Sequence, residues 1–159
     1  MEYRRVPING QALVVTFDMC SSSTVIEELT KACDVQRLSA FITELKRHLA
    51  ELQRVTPFDP YKFTGDGWIL LFPAETPGPG LLAVLEGVCT FFADRFPRSV
   101  LSYLPHRPKS IGLTFGIDKG ELIAMKMFCN PLLVPRGGRQ RTTHWLRIVC
   151  STNISRTLS

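Results

Sequence analysis

The sequence predicts an α+β domain: an antiparallel-rich sheet with helices packed on one face, close to a ferredoxin-like split unit. Three observations predict it. Short β-branched apolar runs and stretches of three- and four-residue apolar periodicity follow one another as strand, two helices, strand, strand, helix, strand, strand. The strands pair off across short glycine-bearing turns, as antiparallel neighbours do. The chain of 159 residues, 45% apolar and 21% charged, is one domain's worth of an ordinary globular composition, without internal repeats.

Taken in order, residues 12–17 (ALVVTF) are a buried strand ending at Asp18. A Ser21-Ser22-Ser23-Thr24 cluster then opens a helix over VIEELTKA, with Ser23 or Thr24 as N-cap and Glu27 and Glu28 in the first turn to suit the helix dipole. Residues 35–55 carry the strongest helical pattern: Val35, Leu38, Phe41, Ile42, Leu45, Leu49, Leu52 and Val55 share one face, and Pro57 and Pro60 end it. YKFTGDGWILLFP (61–73) reads as a hairpin turning at Gly65-Asp66-Gly67, where glycines tolerate the positive φ of a tight turn. After PAETPGPG, residues 81–96 form an amphipathic helix, and Pro97 to Pro108 a proline-punctuated connector. SIGLTFGI (110–117) and ELIAMKMF (121–128) read as two strands joined by an Asp118-Lys119-Gly120 turn. Beyond Cys129 the periodicity fades, although WLRIVCSTNI is a candidate last strand.

Charge divides the chain. No acidic residue follows Glu121, whereas Lys126, Arg136, Arg139, Arg141, Arg147 and Arg156 do, leaving 13 basic against 14 acidic residues in 1–121. The net +5 therefore belongs to the tail, and nucleic-acid binding by the folded part is not expected. We divide the chain into a folded domain over 1–129 and a basic segment over 130–159. Five widely spaced cysteines read as reduced core thiols of a cytoplasmic protein. No apolar run suits a membrane span, and MEYRRVPING lacks the apolar stretch of a secretory signal.

Two carboxylates occupy comparable places. Asp18 ends the first strand and Asp66 sits at the hairpin tip, so neighbouring elements would bring both to one end of the sheet. Beside a serine-rich loop opening a helix, such a pair suits Mg²⁺ and a polyphosphate: Mg²⁺ takes one or two carboxylates plus substrate phosphates, and free helix N–H groups take the phosphates. The same residues are equally a strand-end cap and a turn residue, and spacing leaves both readings open.

The wording is more specific. FDMCSSST (17–24), KFTGDG (62–67) and GLTFGIDKGEL (112–122) resemble, in that order, the class III nucleotidyl cyclase catalytic domain, over about residues 10–127. The Asp-Met-Cys-Ser-Ser-Ser loop and the Tyr-Lys-Phe-Thr-Gly-Asp-Gly-Trp hairpin look like the Pycsar-type pyrimidine cyclases of bacterial antiphage defence, which make cyclic UMP or cyclic CMP. The resemblance implies that Asp18 and Asp66 bind two Mg²⁺ or Mn²⁺ ions with help from the Met19 carbonyl. It implies that Ser21, Ser22 and Ser23 meet the phosphates and that Lys62 meets the base. It implies a nucleoside triphosphate substrate, UTP or CTP ahead of ATP, and a head-to-tail homodimer. Gly116 and Gly120 match the family's later Gly-Ile-x-x-Gly hairpin and would serve backbone geometry. The pattern breaks at the far end. The family places a transition-state asparagine and, four residues on, an arginine; here Asn153 is followed by Thr157, with Arg156 one position short. The tail is then a divergent end, the mark of an inactive cyclase-like nucleotide-binding module, or the product of an altered reading frame.

Overall fold

The computed structural model describes residues 10–127 and 130–135. Strand β1 (Gly10–Met19) leads through helices α1 (Ser22–Lys31) and α2 (Gln36–Leu52) into the hairpin of β2 (Asp59–Phe63) and β3 (Gly67–Pro73). Helix α3 (Gly78–Ser99), a short 3-10 turn (Leu101–Tyr103), β4 (Leu113–Met127) and β5 (Asn130–Pro135) follow. The sheet order is β2-β3-β1-β4-β5, with every neighbouring pair antiparallel. The first four strands thus interleave as a ferredoxin-like split unit, the architecture expected from the order of periodicities.

Alternation along β1 decides where the core lies. Val15, Phe17 and Met19 point to the helical face and pack with Trp68, Leu70 and Phe72 of β3, and with Leu113 and Phe115 of β4. Helices α1, α2 and α3 cover this face through Leu29, Phe41, Leu45, Phe92 and Phe96. The ring of Phe41 meets Phe92 and Phe96 edge-on, at centroid separations of 5.9 and 5.2 Å. The opposite face carries a smaller cluster of Ala12, Leu71 and Leu122, flanked by Val14, Tyr61 and Ile69.

The structure corrects several local expectations. Residues 118–120 make no turn: β4 runs unbroken past them because each residue from Leu113 to Leu122 has a partner on the equally long β1. The strand that pairs back onto β4 is β5, over residues that show no period in the sequence. Helix α1 starts earlier, with Ser21 rather than Ser23 or Thr24 as N-cap, and its first turn holds no acidic residue. Helix α2 ends at Leu52, so Val55 is no core residue but 84% exposed. Helix α3 extends beyond 81–96 at both ends and holds Pro97 in its last turn. The cysteines whose side chains are described are free thiols, but only Cys89 packs, half-buried, against the core; Cys20 is half-buried elsewhere and Cys33 is exposed. Among the described residues no helix is long and apolar enough to cross a membrane. The tail beyond 135, including the candidate strand WLRIVCSTNI, lies outside the described residues.

Candidate active site

The strand register brings the predicted carboxylates together. Asp18 is paired with Gly67, so Asp66 sits one residue from the partner of Asp18 at the same end of the sheet. Two glycines make this approach feasible, for different reasons. Gly65 adopts φ +113° in the turn, a conformation side chains rarely accept, and Thr64 N–H closes the turn on the Gly67 carbonyl at 3.0 Å. Gly67 is not in a positive-φ conformation, contrary to the reading of both turn glycines. A Cβ there would lie 1.8 Å from the Phe17 carbonyl oxygen, so only glycine lets β3 come this close to β1.

The electrostatics follow from the geometry. Burial, then a side-chain hydrogen bond with Asp66 and the charge of Asp66, push the Asp18 carboxyl up from 3.8 to about 6; a bond from the Met19 backbone opposes them. Asp66 in turn accepts a hydrogen bond from the Ser22 hydroxyl at the start of α1. Gly65 and Asp66 edge an apolar hollow lined by Met19, Leu38, Trp68 and Phe92. Among the described residues, no lysine, arginine or histidine forms an ion pair with either carboxylate. Two acids held side by side, with no ion-pairing cation among the described residues, are a donor set that fits a divalent ion. Clusters of three or more His, Cys, Asp or Glu are absent among the described residues.

The serine turn is held from behind. Ser21, at φ 61°, uses its hydroxyl on the Ser110 carbonyl at 2.8 Å, and Cys20 N–H donates to the Gly112 carbonyl at 2.9 Å. Cys20 Sγ also lies 3.1 Å from the Thr114 hydroxyl. Ser23 is exposed one residue further along α1. The hydroxyls of Ser21 and Ser22 are therefore occupied, and what this turn offers a phosphate is the set of N–H groups at the start of α1.

Lys62 is exposed on β2 and does not join the carboxylate pair. Its cross-strand partner is Ile69, which faces Thr16 of β1, so Lys62 lies two strands away from β1, roughly 10 Å, on the face that alternation also gives to Asp18. Phe63 packs on Trp68 at a centroid separation of 4.6 Å on the helical face. Asn153 lies outside the described residues.

One residue that braces this end of the fold is read in the sequence only as a first-turn acid suited to the helix dipole. Glu28 is 6% exposed on α1. Its Oε1 accepts from Lys31 Nζ at 2.9 Å, while its Oε2 takes the His106 backbone N–H at 3.2 Å and lies 3.0 Å from His106 Nδ1. It thereby ties α1 to the connector that supplies Ser110 and Gly112. The signal was present: Glu28 is three residues from Val25 and next to Leu29, on the buried stripe of α1.

The fold has counterparts among solved structures. A bacterial light-regulated adenylyl cyclase matches with TM-score 0.59 and 14% identity, over 82% of this chain and 65% of that one. The adenylyl cyclase CyaB from P. aeruginosa matches with TM-score 0.59 and 13% identity, over 81% and 66%. The guanylate cyclase domain of RhGC from Catenaria anguillulae, solved with GTP, matches with TM-score 0.57 and 14% identity, over 81% and 67%. The fold is that of a class III nucleotide cyclase catalytic domain. No protein-family model matches the chain, and no curated protein matches its sequence. The chain spans about two-thirds of the length of these cyclase structures.

Proposed function

We propose that this chain is a metal-dependent nucleotide cyclase that converts a nucleoside triphosphate to its 3′,5′-cyclic monophosphate and pyrophosphate. The adjacency of Asp18 and Asp66 at the mouth of α1, with no ion-pairing cation beside them among the described residues, carries the reading. In this reaction the ribose 3′-oxygen attacks the α-phosphorus, the bond from that phosphorus to the bridging oxygen breaks, pyrophosphate leaves, and the 3′-hydroxyl proton is lost. Two Mg²⁺ or Mn²⁺ ions bound at the site would acidify that hydroxyl and neutralise the triphosphate. Asp18 and Asp66 would hold the ions, with the Met19 carbonyl assisting. The N–H groups at the start of α1 would hold phosphate oxygens.

The described carboxylate pair is half of a site. Lys62 stands two strands from β1 and does not join the pair; on the resemblance to class III cyclases we place it, in a head-to-tail homodimer, against a nucleotide held by the partner's carboxylates. Two of the cyclase structures with this fold were solved with GTP and with an ATP analogue, consistent with a triphosphate ligand. The loop and hairpin wording favours a pyrimidine, UTP or CTP, and a role in antiphage signalling in the cytoplasm, with ATP as the alternative substrate.

Incubation with each of the four nucleoside triphosphates and Mn²⁺, with cyclic product read by mass spectrometry, tests the proposal. Asp66→Ala should abolish product while leaving the melting transition cooperative. Product from none of the four at concentrations that permit dimers would remove the catalytic reading. A second reading rests on the Asn153–Arg156 spacing: a module that binds metal and triphosphate without turnover. It predicts metal-dependent nucleotide binding by calorimetry and no product.

A further inference from the structure

We infer that Ser22 is a positioning residue for Asp66 rather than a phosphate contact; this rests on the reading of Asp18 and Asp66 as metal ligands. Three observations carry it. The Ser22 hydroxyl donates to Asp66 Oδ2, joining the start of α1 to the tip of the β2–β3 turn across 44 residues of chain. That hydroxyl is not spent on the helix, because the N-cap of α1 is Ser21 and makes no side-chain capping bond. The turn bearing Ser22 is itself fixed, by Ser21 on the Ser110 carbonyl and by Cys20 N–H on the Gly112 carbonyl.

The bond has a task that the local chemistry sets. Asp66 stands in the β2–β3 turn, where the backbone bond from Thr64 to Gly67 leaves its side chain unfixed, and it faces a second carboxylate that repels it. An O–H donor anchored on a fixed helix start satisfies one Asp66 oxygen and leaves the other for a cation. Outer partners that orient metal ligands in this way typically change metal affinity by 10- to 100-fold when removed. A hydroxyl aimed at phosphate would leave metal affinity alone and change nucleotide affinity instead.

The experiment is a Mn²⁺ titration of the full chain followed by electron paramagnetic resonance of the free ion, first without nucleotide, then a calorimetric titration with CTP at saturating Mn²⁺. The variants are Ser22→Ala, Ser22→Thr and Asp66→Asn, each checked for a cooperative melt. The inference expects Ser22→Ala to raise the Mn²⁺ dissociation constant 10-fold or more without nucleotide, and Ser22→Thr, which keeps the hydroxyl, to restore it to within about threefold of the parent. If Ser22→Ala binds Mn²⁺ as the parent does while Asp66→Asn does not, the inference is overturned and the metal site stands. A Ser22→Ala loss confined to CTP affinity would make Ser22 a phosphate contact and overturn it equally. If neither the parent nor any variant binds Mn²⁺, the reading of the carboxylates and the inference fall together.

Discussion

Replacing Asp18 with asparagine should stabilise the metal-free protein at neutral pH while destroying its capacity to bind a divalent ion. The folded carboxyl ionises at about 6 instead of 3.8, because burial and Asp66 disfavour its charge. Between those values the folded state retains a proton that the unfolded state has released, so stability falls as pH rises through the window. By pH 7 the metal-free protein carries the full cost. At face value the displacement from 3.8 to about 6 corresponds to roughly 3 kcal/mol. Asp18 is exposed at the strand end, and solvent screening reduces this to about 1 kcal/mol. For a domain of this size the expected gain in Tm for Asp18→Asn is about 2–4 °C at pH 7.5 in EDTA, shrinking to nothing near pH 4. Calorimetric melts across that range measure it. Mn²⁺ should then raise the Tm of the parent and leave the variant unmoved. An Asp18→Asn protein less stable than the parent at pH 7.5 in EDTA, or a difference independent of pH, would refute the account of the pair as two uncompensated charges.

Glu28 should show the opposite slope. Lys31 first, then His106, hold its carboxyl below the ordinary 4.5, so its contribution is complete above 4.5 and is lost as pH falls through its folded value. Glu28→Gln should therefore lower Tm at pH 7 and flatten the acid limb of the melting curve; an unchanged acid limb would count against the contacts to Lys31 and His106. Gly67→Ala should cost about 3 kcal/mol in urea unfolding, since its methyl meets the Phe17 backbone and the strands must part where the carboxylates converge. A loss under about 1 kcal/mol would show that β1 and β3 approach less closely than the register requires.

Much of this was legible in the sequence, and the exceptions share a cause. Period gave the strands and helices because burial on one face leaves a trace every two or every 3.6 residues. That trace located β1, α2 and the Asp66 hairpin, and with them the two carboxylates we propose as metal ligands. What failed depended on partners far away in the chain. Asp118-Lys119-Gly120 has the composition of a turn, yet β1 offers each of those residues a partner, and pairing overrides local preference. Gly67 reads as a turn glycine, but its need is set by the carbonyl of Phe17, fifty residues upstream. Ser22 reads as one of three equivalent serines until Asp66 singles it out. Of the two partners of Glu28, Lys31 is one turn away but His106 is 78 residues downstream, so nothing local announces that second contact.

The carboxylates themselves separate structure from chemistry. Glu28 and Asp18 are both placed by the fold against other groups, and each is displaced from its ordinary ionisation, but in opposite directions. Glu28 is answered from within the chain by an ammonium group and an imidazole, which is how a fold retains a buried acid at little cost. Asp18 is answered by another acid, on a strand register that glycine at 67 alone permits. A protein under selection for stability alone would relieve that repulsion with one lysine or one asparagine. Keeping two acids in contact, bracing one with Ser22 and seating both beside the free N–H groups of α1, makes sense where the missing positive charge arrives with the substrate. That pattern points past the cyclase fold, which structural likeness establishes, to the metal–triphosphate chemistry we propose for it.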